Sequence, residues 1–259
     1  MTTQAVPWIG PPIAVEVHED TAAEVLVKHL FAQPNDTILG VEYALGFWPA
    51  DGPTGGDIID VFSFQNGSVA FTIADISGKG VRAAVHAALI KYALRAYLSD
   101  GQTPERALRS LNRLVMENNT FEDTDAFASV FLGVIDATRK TMMYASGGHE
   151  PVVLHRPGLG AQILPPTAPL IGVFGTEGQI FGQDIAVLEY GSILVAATDG
   201  VTEARNPTSL YGMERFVDQI SGHAKEPLRD QVNALLADVM QHCEGKPQDD
   251  IAILVARIL

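Results

Sequence analysis

Two aspartates, Asp57 and Asp75, flank a pair of apolar segments that are separated by the dipeptide Asn66-Gly67. Asn-Gly between apolar runs is a strong β-hairpin signal, because both residues accept positive φ angles. A two-residue turn would pair Ile58 with Asp75, so the two carboxylates would lie at the open end of the hairpin, one residue out of register. Carboxylates held close together repel each other unless a proton or a cation lies between them. The spacing therefore predicts a divalent metal site at this end of the hairpin.

A second acidic pair lies at the ends of two later apolar segments. Asp199 directly follows the segment 192–198, and Asp249 shortly precedes the segment 251–258. If these segments are antiparallel neighbours, the end of one lies beside the start of the other, and the two carboxylates converge. Four carboxylates at one sheet edge could hold two Mg²⁺ or Mn²⁺ ions, which prefer oxygen ligands. Two such ions can activate a water for attack on phosphorus, and no side-chain nucleophile is then required.

Composition limits the classes of protein to which the chain can belong. It has 259 residues, 47 % of them apolar, which is enough for a large buried core. A net charge of −14 without a basic patch argues against partners such as nucleic acid or an anionic membrane. The single cysteine, Cys243, has no partner for an internal disulfide and fits a reducing compartment. No secretory signal or membrane-spanning run is visible, so we expect a soluble, cytoplasmic protein.

Apolar periodicity and turn residues predict the elements that position these acids. The predicted strands are 41–48, 58–65, 68–74, 127–136, 141–146, 151–155, a short one around Ile163, 185–188, 192–198 and 251–258. The predicted helices are 21–31, 81–98, 104–117 and two between Met213 and Cys243. Helices that come in sequential pairs between blocks of strands indicate an α+β fold, with antiparallel sheets flanked by paired helices.

Seven short motifs identify a family that the chain resembles. They are Gly55-Gly56-Asp57-Ile58-Ile59-Asp60, Ala74-Asp75-Ile76-Ser77-Gly78-Lys79-Gly80, Phe131-Leu132-Gly133-Val134-Ile135-Asp136, Tyr144-Ala145-Ser146-Gly147-Gly148-His149, Pro169-Leu170-Ile171-Gly172-Val173, Thr198-Asp199-Gly200-Val201-Thr202-Glu203-Ala204 and Asp249-Asp250-Ile251. In type and order they resemble the motifs of metal-dependent protein phosphatases of the PPM (PP2C-like) superfamily, in the bacterial branch of SpoIIE and RsbU. The resemblance covers roughly residues 38–259.

The resemblance implies a fold and a ligand set. The implied fold is a four-layer α-β-β-α sandwich, with two central antiparallel sheets between paired helices. Asp57 and Asp75, together with the carbonyl of Ile76, would bind two Mn²⁺ or Mg²⁺ ions. Asp199 and Asp249 would complete the ligands, and the four aspartates would act through a metal-activated water rather than a covalent nucleophile.

The implied reaction is hydrolysis of phosphoserine or phosphothreonine in a protein. The usual substrate in this branch is a phosphorylated anti-sigma-factor antagonist of stress or sporulation signalling. This chain departs from the family in having Ile58 and Ile59 where tyrosines often follow the first aspartate, and in lacking an evident phosphate-binding arginine near its start. Two alternatives remain open: a pseudophosphatase that binds a partner, and a phosphohydrolase acting on a small molecule.

Four further residues have alternative roles. Lys79, near a helix start, would contact phosphate or form an ion pair with the acidic cluster. Asp60 points into its strand and is expected to support the ligands or the fold rather than bind metal. Asp250 would lie behind the ligands or in solvent. His149 could act as a general acid, but a structural hydrogen-bonding role is favoured.

The resemblance divides the chain into two parts. Residues 1–37 form an N-terminal extension with one predicted helix, and residues 38–259 form the phosphatase domain. The helix at 21–31 carries an apolar stripe that would pack on the domain or join two chains in a homodimer.

Overall fold

The computed structural model describes residues 35–50, 56–64, 66–122, 125–138, 140–175 and 180–259. The predicted helix at 21–31 lies outside these residues. The division of the chain at residue 37 therefore remains a prediction.

Eleven strands in the described ranges form two sheets in which all neighbouring strands are antiparallel. They are β1 (Asn35–Ile38), β2 (Val41–Trp48), β3 (Ile58–Ser63), β4 (Ser68–Ile76), β5 (Ala128–Asp136), β6 (Thr141–Gly147), β7 (Val152–Arg156), β8 (Gly160–Leu164), β9 (Asp184–Val187), β10 (Ile193–Ala197) and β11 (Ile251–Ile258). The six-stranded sheet has the order β1-β2-β11-β10-β7-β8, and the five-stranded sheet has the order β3-β4-β5-β6-β9.

Five helices accompany the sheets in the described residues: α1 (Gly80–Ser99), α2 (Pro104–Glu122), α3 (Asp199–Thr202), α4 (Gly212–His223) and α5 (Leu228–His242). α1 is rich in alanine and leucine, which have high helix propensity. It is terminated by Gly101, whose φ of +82° lets its amide turn back to the carbonyl of Leu98. α2 begins at Pro104, in the first-turn position that proline favours.

Three apolar clusters join the two sheets and the two pairs of helices into four layers. Phe71, Phe131 and Leu254 belong to the cluster between the two sheets. A second cluster packs α1 and α2 on the five-stranded sheet, and a third packs α4 and α5 on the six-stranded sheet. The architecture is therefore an α-β-β-α sandwich, and the predicted fold is confirmed.

The β3–β4 hairpin has a different register from the expected one. Ser63 pairs with Val69, and Ile58 pairs with Ala74 rather than with Asp75. Beyond Ser63, the amide of Phe64 donates to the carbonyl of Ser68, so three residues rather than two lie between them. Gly67, with φ +85°, closes this loop by donating its amide to the carbonyl of Phe64. The prediction was wrong by one residue, because the glycine forms a bulge instead of half of a two-residue turn.

The corrected register has a direct consequence for the acids. Continued by one residue, it places Asp57 directly opposite Asp75 instead of opposite Ile76. The two carboxylates therefore meet more closely than the sequence predicted.

Candidate metal centre and active site

The strand ends bring the predicted acids to one edge of the sandwich. Asp57 precedes β3, Asp75 lies near the end of β4, and Asp199 follows β10. Asp249 precedes β11, which pairs antiparallel with β10, so the condition for the two acids to converge is met. A cleft of about 450 Å³ opens at this edge. It is lined by Ala50, Gly56, Asp75, Ile76, Ser77, Gly78, Lys79, Phe127, Ser129, Gly148, Glu150, Leu170, Asp199, Asp249 and Asp250.

Asp57 lies behind this lining. Its side chain is buried, and the register of β3 and β4, continued by one residue, places it opposite Asp75. The hydroxyl of Thr198 donates to Asp57 Oδ2 over 2.8 Å and accepts from the amide of Ala252 over 3.0 Å. Thr198 is itself buried between β10 and α3, so it ties Asp57 of one sheet to β11 of the other.

Burial and mutual repulsion perturb these carboxyl groups strongly. Burial, followed by the charge of Asp75, raises the pKa of Asp57 well above its usual value. Burial, followed by the charge of Asp249, raises the pKa of Asp75 to about 6. Burial, followed by the charges of Asp75 and Asp249, raises the pKa of Asp199 to about 7. Such groups favour any cation that relieves their repulsion, and perturbed carboxyl groups in a cleft are typical of functional sites.

The chemistry of the donors fits Mg²⁺ or Mn²⁺. All candidate ligands are carboxylate or carbonyl oxygens, which hard cations prefer. In the described part of the chain, no three His, Cys, Asp or Glu side chains form a preformed ligand cluster. Asp75, Asp199 and Asp249 line the cleft, and Mg²⁺ usually keeps several water ligands and takes few from protein.

Two glycines shape the edge of this cleft. A Cβ on Gly56 would lie 2.3 Å from the carbonyl oxygen of Ile76, the predicted backbone ligand. A Cβ on Gly200 would lie 1.9 Å from the carbonyl oxygen of Asp250. Both positions therefore require glycine for the close backbone approach.

Asp250 and Lys79 also lie at the cleft. Asp250 Oδ1 accepts the amide of Ala50 over 2.8 Å, which anchors the segment that follows β2. Its own amide donates to Asp249 Oδ1 over 2.9 Å. Lys79, immediately before α1, is the only basic residue among the described residues that line the cleft.

Asp60 lies outside the cleft, in a buried ion cluster between β3 and α1. Its two oxygens accept from Arg95 Nε at 2.5 Å and Nη2 at 2.6 Å, and Lys91 Nζ lies 3.3 Å from Oδ1. This geometry fits the structural role expected from the sequence.

His149 is also buried and does not line the cleft. Its Nδ1 lies 2.8 Å from the carbonyl of Glu150, to which it donates, and burial lowers its pKa to about 4. A neutral histidine bound to the backbone carbonyl of the next residue fits the structural role better than that of a general acid.

Sequence reasoning missed two polar residues of the site, Thr198 and Glu150. Glu150 lines the cleft, accepts from the hydroxyl of Thr202 over 3.1 Å, and helps to raise the pKa of Asp199. Each residue borders a recognised motif or belongs to one, but only the structure shows which neighbours their oxygens contact. The short helix α3, which carries Asp199 and Thr202, was likewise not predicted.

No helix in the described ranges combines the length and apolar character needed to cross a membrane. Two stacked antiparallel sheets between helical layers, with an acidic cleft at the strand ends, define a PP2C-like phosphatase domain. The chain belongs to the SpoIIE family: the family model described as stage II sporulation protein E matches residues 65–259.

Two curated relatives share this domain. The chain is 27 % identical over 191 residues to the phosphoserine phosphatase RsbU of Bacillus subtilis, covering 73 % of this chain and 56 % of RsbU. It is 28 % identical over 228 residues to protein IcfG of a Synechocystis strain, covering 77 % of this chain and 35 % of IcfG. The chain thus spans about a third to a half of these relatives.

Solved structures share the fold. The RsbU and RsbW domains of Rv1364c from Mycobacterium tuberculosis match with a TM-score of 0.73 and 25 % identity, covering 87 % of this chain and 62 % of that one. RsbX, solved in complex with magnesium, matches with a TM-score of 0.63 and 19 % identity, covering 87 % of this chain and 98 % of RsbX.

Proposed function

We propose that this chain is a divalent-metal-dependent protein phosphatase that hydrolyses phosphoserine or phosphothreonine monoesters. The observation that carries the proposal is the convergence of Asp57, Asp75, Asp199 and Asp249 on one cleft from separate strand ends. Three of these carboxyl groups have raised pKa values because they are buried beside one another. A cation would relieve that repulsion.

The proposed cofactors are two Mn²⁺ or Mg²⁺ ions, held by the four aspartates and the carbonyl of Ile76. When bound, the ions would supply Lewis-acid activation of water and neutralise charge on the phosphoryl group. The protein's own contribution is positional. Thr198 fixes one oxygen of Asp57, and Gly56 leaves room for the Ile76 carbonyl. Lys79 adds a positive charge at the cleft for the substrate phosphate.

The proposed substrate is a phosphorylated anti-sigma-factor antagonist, acted on in the cytoplasm. Support comes from the likeness to RsbU, and from a related solved chain that carries RsbU and RsbW domains. An open cleft at the edge of the sandwich suits a phosphorylated side chain presented by a protein.

The test is Mn²⁺-dependent phosphate release from p-nitrophenyl phosphate and from a phosphoserine peptide, with EDTA as the metal-free control. Asp75→Asn and Asp199→Asn should each abolish release from both substrates, because each removes a charged ligand. Asp218→Asn, at an exposed position on α4, is the matched control and should retain full activity. Full activity after either ligand substitution would refute the metal site.

The same assay separates the alternatives. A folded protein that binds Mn²⁺ but releases no phosphate from any substrate would favour the partner-binding pseudophosphatase. Release from small phosphate esters alone, with phosphopeptides left intact, would favour the small-molecule phosphohydrolase.

A further inference from the structure

Three exposed apolar side chains belong to two segments that contribute residues to the cleft. Phe127 is 43 % exposed and lines the cleft itself, while Val173 and Phe174 are 42 % and 49 % exposed. Val173 and Phe174 follow Leu170, another cleft-lining residue, by three and four positions. Together, Phe127, Val173 and Phe174 are called the apolar platform. Exposed apolar patches beside a polar site often mark an interaction surface.

The platform is joined to the candidate metal ligands. Ser77 directly follows Ile76, and its amide donates to the carbonyl of Phe127 over 2.9 Å. The amide of Phe127 in turn donates to Ser77 Oγ over 2.9 Å. Two reciprocal hydrogen bonds thus fix the backbone of Phe127 relative to the end of β4, which carries Asp75.

Two asparagines of α2 form hydrogen bonds with the backbone of the two segments that carry the platform. Asn112 is completely buried; its Oδ1 accepts from the amide of Gly172 over 2.8 Å, and its Nδ2 donates to the carbonyl of Phe174 over 2.9 Å. Seven residues later, Asn119 holds Ala126 in the same way, with Nδ2 donating to its carbonyl over 2.7 Å and Oδ1 accepting its amide over 3.2 Å. Residues seven apart lie on the same helix face.

The two platform segments also lock to each other. Ala128 and Ile171 exchange two backbone hydrogen bonds of 2.9 Å each. A Cβ on Gly172 would lie 2.5 Å from the carbonyl oxygen of Ala126 and 3.3 Å from the Cα of Phe127. The apolar side chains are therefore presented on a preorganised backbone, which lowers the entropic cost of binding.

Electrostatics indicates why an apolar surface is needed here. The chain carries a net charge of −14, and aspartates surround the cleft. A phosphorylated substrate is itself anionic, so long-range attraction contributes little to its capture. Burial of apolar area is independent of charge and can supply the missing affinity.

We propose that the apolar platform is a specificity surface that binds apolar residues flanking the phosphoserine of the protein substrate. The inference rests on the proposed phosphatase function and adds to it the substrate feature that the enzyme selects. A phosphoseryl side chain in the cleft would place the neighbouring residues of its own chain against Phe127, and those beyond them against Val173 and Phe174.

The test uses the full chain, Mn²⁺ and two phosphoserine peptides of equal length and charge. One peptide has two leucines on each side of the phosphoserine, and the other has two glutamines. We expect kcat/KM to be about tenfold higher for the leucine peptide, the discrimination that an apolar pocket commonly gives. Phe127→Ser and Phe174→Ser should reduce this ratio towards one, mainly by raising KM for the leucine peptide.

The matched control is Tyr190→Ser, because Tyr190 is 73 % exposed and precedes β10 at the end opposite Asp199. It should keep the tenfold ratio. Equal kcat/KM for both peptides in the unmodified chain, or a ratio unchanged in both platform variants, would overturn the inference. Hydrolysis of p-nitrophenyl phosphate in the same samples keeps this failure distinct from a failure of the phosphatase proposal.

The inference would also be overturned if the apolar platform bound something other than the substrate. A dimer mass by light scattering that Phe174→Ser converts to a monomer, without a change in peptide preference, would assign the platform to a second copy of the chain. Loss of hydrogen-exchange protection in residues 21–31 on the same substitution, again without a change in preference, would assign it to the N-terminal segment.

Discussion

Thr198→Val is the most informative single substitution, because valine keeps the shape of threonine and removes only the hydroxyl chemistry. In the structure that hydroxyl donates to Asp57 Oδ2 and accepts from the amide of Ala252. Both partners are buried, so water cannot replace the lost hydroxyl. The matched control is Thr198→Ser, which keeps the hydroxyl and loses one methyl group.

The magnitude follows from the two contacts. Loss of a hydrogen bond to a carboxylate costs about 1.5–3 kcal/mol, and an unsatisfied buried amide costs about 1–3 kcal/mol more. Thr198→Val should therefore lower the free energy of unfolding by about 3 kcal/mol or more. Thr198→Ser should lose only about 1 kcal/mol, the value of one buried methyl group.

The same substitution tests the metal site. The hydroxyl of Thr198 lowers the pKa of Asp57, against the raising effects of burial and of Asp75. Without it the carboxyl group holds a proton more tightly, and a proton competes with a cation. We expect the Mn²⁺ concentration for half-maximal activity to rise about 10–100-fold, as for other residues that orient metal ligands.

Two assays check these values: urea unfolding in EDTA for stability, and Mn²⁺ titration of phosphate release for affinity. The free energies of unfolding of the valine and serine variants should differ by more than the cost of one lost buried hydrogen bond. A difference below about 0.5 kcal/mol would show that the two hydrogen bonds of the Thr198 hydroxyl contribute less to stability than expected. An unchanged Mn²⁺ midpoint in the valine variant would show that Asp57 is not a ligand positioned by Thr198.

Two further predictions concern buried charge. Asp60→Asn leaves the buried Lys91 and its neighbour Arg95 without their carboxylate, and should lower the free energy of unfolding by about 3–5 kcal/mol in urea; a loss no larger than that of Asp218→Asn would contradict this. Burial lowers the pKa of His149 to about 4 in the folded chain, against about 6.5 when unfolded. The unfolded chain therefore binds a proton at a higher pH than the folded chain does. As the pH falls from 6.5 towards 4, this difference should lower the free energy of unfolding by about 3 kcal/mol. The stability difference between the native chain and His149→Gln, measured by urea unfolding in EDTA, should therefore shrink over that range, and a constant difference would show that His149 is not held neutral.

Local patterns predict the α+β class and the positions of the acids, whereas the four-layer order was implied by the family resemblance. Alternating apolar segments set the strands, and acids at their ends mark the edge where the cleft forms. The convergence of Asp199 and Asp249 depended on antiparallel pairing of β10 and β11, and the structure contains that pairing. The strand β1 was not predicted, since its four residues include the polar Asn35 and Asp36, and its edge position depends on pairing with β2.

Features that depend on exact geometry could not be predicted in this way. The hairpin register depended on whether Gly67 forms half of a turn or a bulge, and Asn-Gly is compatible with both. The contacts of Thr198, Glu150 and Asn112 join residues from 52 to 141 positions apart. Such contacts follow from the packed fold and not from any local spacing.

The loop that joins β3 and β4 has a consequence for how this domain tolerates change. It lies at the far end of a six-residue strand from Asp57, roughly 20 Å away at the usual rise per residue. Surface loops ordinarily accept insertions and deletions. Here the loss of a single residue near Gly67 could slip the pairing of β3 against β4 by one residue. Asp57 would then no longer lie directly opposite Asp75, so a change in the length of this distant turn should weaken the metal site.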